Sequence, residues 1–236
     1  MTTIPLAQIH GVNDLRLDSI PPPLCGPDDV VVHVRECGIC GSDLGYLAMG
    51  GLMGPGRPMP LGHELWGVVS STGGNVTHVA AGDRVVVQPM SNGNNIGNGG
   101  TEGGFSPYLL VRNAALHSDS LFRMPPELPE AFGALVEPLS VAQHGANRVA
   151  AAAEDRAVVF GAGPIGLSIV QVLKYRGLQN IVVVDLSERR LAAAHPGLPL
   201  FLVAHSMGSF AAQSVLLTDS DQYCGVVLSG STALAE

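Results

Sequence analysis

Over residues 1–150 the apolar positions come in short, β-branched runs, at 30–34, 66–70, 84–88 and 108–111, each closed off by Gly, Pro or Asn. Runs of that length and composition predict strands, and the punctuation between them predicts turns. Near residue 150 the pattern changes. A short apolar run at 157–160 leads into GAGPIG at 161–166, a helix-like stretch at 167–176 and a second apolar run at 181–185. Strand, glycine turn, helix, strand is the opening of a parallel α/β sheet. Residues 187–194 read as another helix, rich in good helix formers and followed by Pro196. The last segment repeats the grammar: apolar at 200–204, a turn at HSMG, helical at 209–217, and a short strand at 225–229. No internal repeat at solenoid or propeller spacing is present.

Composition narrows the class. The chain has 236 residues, 46% hydrophobic and 14% charged, and no long polar tract, so a globular protein with a substantial core is expected. Net charge is −8, Lys174 is its single lysine, and no basic cluster occurs. That balance argues against nucleic acid or an anionic membrane as a partner. No apolar run reaches the roughly 18 residues that span a bilayer, and the N-terminus lacks the pattern of a secretion signal. The cytoplasm is the expected location. Of the four cysteines, Cys25, Cys37, Cys40 and Cys224, only Cys37 and Cys40 are clustered, and in a reducing compartment such a pair points to metal or catalysis before a disulfide.

The clustered pair has company. CGICGSD at 37–43 is followed by GHE at 62–64 and EPLS at 137–140. A thiolate, an imidazole and one or two carboxylates suit zinc, a borderline-soft ion bound by Cys, His and Asp/Glu. A catalytic zinc takes about three protein ligands and leaves a position open. Each piece alone says little, since a lone Cys-x-x-Cys is more often a pair of small core residues and a lone His-Glu is usually structural.

Together with GDRV at 82–85, GGFSPYLLV at 103–111 and ALVEPLSVAQHG at 134–145, these motifs resemble the zinc-containing medium-chain dehydrogenase family, especially its sorbitol, butanediol and threonine dehydrogenase branches. The resemblance runs from the N-terminus to about Ala194. It implies an α/β protein with two domains: a β-rich, GroES-like zinc catalytic domain over 1–150, and a truncated Rossmann-like dinucleotide-binding domain over 151–236. It also implies that Cys40 is the thiolate ligand, Cys37 a buried structural residue, and His63 and Glu64 the next two ligands. Glu137 matches a carboxylate that can approach or exchange at the metal. Asp43 matches a residue that orients a ligand, a need common to such sites, and Ser42 matches the hydroxyl that begins a proton relay from the substrate. Alcohol dehydrogenase sites with two cysteines and a histidine are known; glutamates stand here where a second thiolate would be, which favours the polyol branch. Many relatives also hold a structural zinc with four close cysteines. The corresponding segment, SNGNNIGNGGTEGG at 91–104, contains none, so one catalytic zinc and no structural zinc are expected.

GAGPIG fits G-x-G-x-x-G, with Gly161, Gly163, Pro164, Ile165 and Gly166 as the expected cofactor-binding positions. The first glycine permits the tight turn, the second lets backbone amides approach a pyrophosphate, and the third lets helix and strand pack closely. The helix N-terminus that follows favours an anion. Asp185 ends the next strand 19 residues beyond Gly166, where an acid binds the adenosine ribose and disfavours a 2′-phosphate. NAD is therefore the expected cofactor. Arg189 and Arg190, which follow, read as solvated helix charges.

Past Ala194 the chain resembles another family. LPLFLVAHSMGSFAAQ at 198–213 is similar to the nucleophile elbow of an α/β-hydrolase of the lysophospholipase or monoacylglycerol lipase kind, with Ser206 at the nucleophile position, Gly208 after it, and Ala204 where the elbow's first glycine usually stands. GVVLSG at 225–230 resembles the next strand of such a sheet. A serine nucleophile needs a histidine base and an acid, and no histidine follows His205 in this sequence. These residues are thus expected to supply two parallel βα units to the nucleotide-binding sheet. The expected function is transfer of hydride from a secondary alcohol or polyol to NAD with zinc as Lewis acid. The competing readings are a non-catalytic chimeric chain that keeps only metal or dinucleotide binding, and an esterase built on Ser206. Dimers and tetramers of the family join through later strands of the cofactor domain, which this sequence does not show, so the family interface is expected to be missing and the oligomeric state stays open.

Overall fold

A computed structural model describes residues 2–54, 56–149, 151–185, 190, 202–205 and 226–229. The chain divides into two compact units, Met1–Glu137 and Pro138–Glu236.

In the first unit the hairpin β1 (Ile4–Gly11) and β2 (Asp14–Ile20) joins β3 (Val30–Gly38), helix α1 (Gly41–Met49), β4 (Met59–Pro60), β5 (Glu64–Thr72), β6 (Arg84–Val87), β7 (Tyr108–Val111) and β8 (Leu121–Arg123). Two sheets result, in the orders β2-β1-β4 and β7-β3-β5-β6-β8. In the five-stranded sheet, antiparallel throughout, alternate residues point to one face. Val30 and Val32, Val85 and Val87, Leu109 and Val111, with Leu65 and Val69, meet there in one buried cluster. All four strands predicted from apolar runs are present. β3 and β5 extend beyond their runs, and the extensions end beside the site residues: Glu64 opens β5, His63 precedes it, and Cys40 follows β3 by two residues. The hairpin at 4–20 and helix α1 have no counterpart among the predicted elements.

Two register shifts in the β3–β5 pairing bend this ladder, the second between Val34 and Glu36. Beyond it Cys37 pairs with Leu65 and Gly38 with Glu64. A bulge re-aims the residues that follow it. Here it brings the end of one strand, leading to Cys40, alongside the start of the other, led by His63.

The second unit takes most of helix α2 (Val136–Arg148), then β9 (Arg156–Phe160), helix α3 (Pro164–Tyr175), β10 (Asn180–Val184), β11 (Leu202–His205) and β12 (Val226–Ser229). The two units part inside α2, earlier than the expected boundary at 150, because Ala142 and Ala146 pack with Val158, Val159, Ile169, Val170, Leu173 and Ile181. β9 and β10 are parallel, Val158 opposite Val182, with α3 as the crossover. β11 and β12 pair in parallel, Leu202 opposite Val226, close to the two strands expected at 200–204 and 225–229. No helix among the described residues is long and apolar enough to cross a membrane. The expected helix at 187–194 apart from Arg190, the expected helix at 209–217, the HSMG turn beyond His205, Ser206 and Cys224 lie outside the described residues.

The β9–α3 turn shows why its glycines differ. Gly161 has φ +97°, a left-handed conformation that only glycine adopts without strain. A Cβ on Gly166 would collide with the Gly161 carbonyl, whereas one on Gly163 would meet nothing within 4 Å. Gly163 caps α3, and Pro164 occupies its first turn, where a missing N–H costs nothing. Gly166→Ala should therefore destabilise the second unit by about 2 kcal/mol, as overpacking does. Gly163→Ala should stay within about 0.5 kcal/mol, as open sites do. Urea unfolding of the two variants measures both, and equal losses would refute this division of roles.

Candidate metal and dinucleotide sites

The β3–β5 pairing places Cys40, His63 and Glu64 so that one ligand atom from each lies within 4.8 Å of the others. Gly38 makes room for this, since a Cβ there would collide with the Glu64 carboxylate. Cys40 is the N-cap of α1, and Asp43, in the helix's first turn, accepts the Cys40 backbone N–H at 2.8 Å. An acidic side chain in that position satisfies an otherwise orphan donor of the helix end. The other oxygen of the same carboxylate, Oδ1, lies 3.5 Å from His63 Nδ1. Neither of those two atoms has a closer partner, and both side chains are almost fully buried, 3% and 5% exposed.

A carboxylate behind one ring nitrogen fixes the tautomer that leaves the other free to bind. His63 Nε2 lies 3.5 Å from Ser42 Oγ. Burial alone would push the His63 imidazole down, but hydrogen bonds and charge from Asp43 and Cys40 outweigh it and raise it to about 10. The donor set of thiolate, imidazole and carboxylate fits zinc.

The other candidates separate. Burial, and then the charges of Asp43 and Glu64, push the Cys37 thiol up to about 12, so it stays protonated and packs with the core beside Leu65 and Val32. Glu137, in the first turn of α2, is outside the cluster of three. Burial raises its carboxyl, His63 counters that, and Glu64 adds to it, which puts Glu137 within electrostatic reach of the pair but not among the gathered donors. A residue the sequence reading passed over is Tyr46. It lies one turn beyond Ser42 on α1, where burial, Asp43 and Cys40 raise its hydroxyl, and that hydroxyl donates to Asn98 Oδ1 at 3.1 Å. The i, i+4 spacing from Ser42 is the signal that could have found it, once GSDLGYLAM is read as a helix.

In the second unit, Asp185 Oδ2 accepts the Ala162 backbone N–H at 2.8 Å, tying the end of β10 to the glycine turn. Arg190, read from the sequence as a solvated charge, is exposed and also lies 3.6 Å from Asp185 Oδ2. Ile165 packs against the second core, leaving the amides at the start of α3 next to the open side of Gly163, the shape a pyrophosphate needs.

Comparison with known proteins places the chain beside two families. Residues 26–121 match the alcohol dehydrogenase GroES-like domain, and residues 178–235 match a second model, serine aminopeptidase, S33. The chain is 37% identical over 208 residues to the (R,R)-butanediol dehydrogenase of Bacillus subtilis, an alignment covering 78% of this chain and 58% of that protein. It is 35% identical over 204 residues to the sorbitol dehydrogenase of Rattus norvegicus, covering 79% and 56%. The crystal structure of the 2R,3R-butanediol dehydrogenase from Bacillus subtilis superposes with a TM-score of 0.72 at 34% identity, covering 84% of this chain and 63% of that one. The chain thus spans 58% and 56% of the length of these two curated relatives. Over its dehydrogenase-like portion the chain is thus similar to medium-chain alcohol and polyol dehydrogenases, with an alcohol dehydrogenase GroES-like domain at residues 26–121.

Proposed function

We propose that the protein is a cytoplasmic oxidoreductase that moves a hydride from a secondary alcohol or polyol to NAD, using one catalytic zinc and no structural zinc. The observation that carries this is the convergence of Cys40, His63 and Glu64 with Asp43 buttressing the imidazole. Cys40, His63 and Glu64 would hold the zinc, with Glu137 as the carboxylate able to approach it. The bound zinc would polarise the substrate oxygen, and NAD would accept the hydride. The protein's own groups do the rest. Asp43 keeps His63 in the binding tautomer. Ser42, at 3.5 Å from His63 Nε2, takes the proton of the substrate hydroxyl and passes it outward. The Gly161–Gly166 turn and the first amides of α3 hold the pyrophosphate, and Asp185 holds the adenosine ribose.

The match of residues 178–235 to a serine aminopeptidase model supports a second reading, a serine hydrolase using Ser206. Release of a chromogenic acyl ester, lost in Ser206→Ala, would favour it over the dehydrogenase.

Cys40→Ala should abolish alcohol-dependent NADH formation while leaving NADH affinity near that of the parent; retained turnover would remove Cys40 from the ligand set. Asp43→Asn keeps the cap on Cys40 but not the negative charge behind His63, so zinc affinity should drop by about 10–100-fold in a chelator competition. Zinc needs the neutral imidazole, and His63 stays protonated up to about pH 10 in the metal-free chain. Zinc binding at pH 8 should therefore release a proton from His63, and affinity should climb with pH until about 10. Titration in weak buffer reads this directly, and pH-independent affinity would contradict it. Saturable NADH fluorescence should be lost in Asp185→Arg; unchanged binding would overturn the ribose assignment.

A further inference from the structure

The asparagine- and glycine-rich stretch at 91–105 is hydrogen-bonded both to the segment just before His63 and to the helix that Cys40 caps. It is a closed loop. The Gly97 N–H donates to the Glu102 carbonyl at 2.8 Å, the Asn98 and Gly100 N–H groups both donate to the Asn95 carbonyl at 2.9 Å, and Ile96 N–H donates to Pro89 at 2.9 Å. Asn92, Asn95, Gly93, Gly97 and Gly99 all have positive φ, a conformation these two residue types tolerate. Ile96, fully buried, anchors the loop in the main core of the first unit.

From this anchor the loop reaches two places. Its return strand is hydrogen-bonded to the segment just before His63: Gly104 N–H donates to the Gly62 carbonyl at 2.8 Å, and Phe105 N–H to the Leu61 carbonyl at 3.1 Å. Gly97 lies so close to the Gly62 peptide that a Cβ would collide with its carbonyl. Gly62 has no slack of its own, since its φ is +94° and a Cβ there would meet Phe105 N at 2.7 Å. Meanwhile Asn98 donates to the Ile96 carbonyl at 3.2 Å, which fixes its amide so that Oδ1 accepts the Tyr46 hydroxyl. Tyr46 rides on α1, the helix that Cys40 caps and that carries Asp43.

We propose that this loop positions the metal donors: Gly97 holds the Gly62–His63–Glu64 backbone, Asn98 holds α1 through Tyr46, and the distance between Cys40 and His63 depends on both. The proposal rests on the zinc reading above. Gly97 and Asn98 are positioning residues, with no role in binding the ion directly.

Cobalt(II) titration of the purified, metal-stripped full chain tests it, because the d–d absorption band reports ligand geometry as well as affinity. Asn98→Ala, Tyr46→Phe and Gly97→Ala should each weaken cobalt binding by at least about tenfold, the range seen when groups behind a ligand are removed, and should alter the band. Asn98→Ala and Tyr46→Phe should be non-additive, since they break one bond from its two ends. Asn94→Ala serves as the control. It deletes the Asn94 bond to the Arg112 carbonyl on the same loop, and should lower the melting temperature without changing affinity or spectrum. Should Gly97→Ala fail to fold, Asn98→Ala and Tyr46→Phe decide the matter. Unchanged cobalt binding in those two variants, or an equal loss in Asn94→Ala, overturns the proposal. If the parent chain itself takes up no cobalt, the zinc reading fails instead, and amide hydrogen exchange at Gly62, His63 and Glu64 judges the loop. Faster exchange in Asn98→Ala than in Asn94→Ala supports it, and equal exchange refutes it.

Discussion

The buried carboxylate of Asp43 is the constraint on which the rest of the first unit's chemistry depends. One oxygen caps the backbone of Cys40 and the other faces His63 Nδ1, so a single side chain fixes where α1 begins and which way the imidazole points. Burying a carboxylate is costly unless it is paired and hydrogen-bonded. Asp43 meets that condition only when α1 and the β5 start are both in place, and the two are thereby linked. Removing it would leave a helix end and an imidazole unpartnered at once.

The backbone around this carboxylate is shaped by what is missing from its side chains. Gly38 leaves space for the Glu64 carboxylate, and Gly97 leaves space for the Gly62 peptide. The β3 bulge then converts an ordinary antiparallel ladder into one whose end presents donors from the start of β5 and from the cap of α1. A metal site needs its donors held within a few tenths of an ångström of their working places. Strands and a capped helix provide that rigidity better than loops do, and the loop at 91–105 is itself closed by hydrogen bonds and pinned by Ile96.

The dehydrogenase resemblance and the hydrolase-like match overlap at β10. The hydrolase-like match begins at residue 178, before the strand that ends in Asp185, while the dehydrogenase resemblance read from the sequence runs on to about 194. A parallel strand followed by a turn and a helix is a unit that both families use, and β10 satisfies either pattern. Fold grammar is shared where site chemistry is not. Asp185, bound to the Ala162 amide, ties β10 to the glycine turn, and so to the dehydrogenase side of that overlap.

By itself the sequence determined the strands at 30–34, 66–70, 84–88 and 108–111 and the glycine turn with its flanking strands and helix, because alternation and glycine spacing are local consequences of backbone geometry. Its resemblance to a dehydrogenase family also pointed to Cys40, His63, Glu64 and Asp43 as a set, because the motifs that carry them stand in order along the chain. Tertiary structure alone decided how they meet. The β3 bulge that sets the register, the helix α1 hidden in a stretch with Gly41 and Gly45, the distance of Glu137 from the gathered three, and the Tyr46–Asn98 bond across 52 positions all depend on packing between segments far apart in the chain. Two elements of weak local preference take their form from the partners they pack against, and no window of sequence contains both.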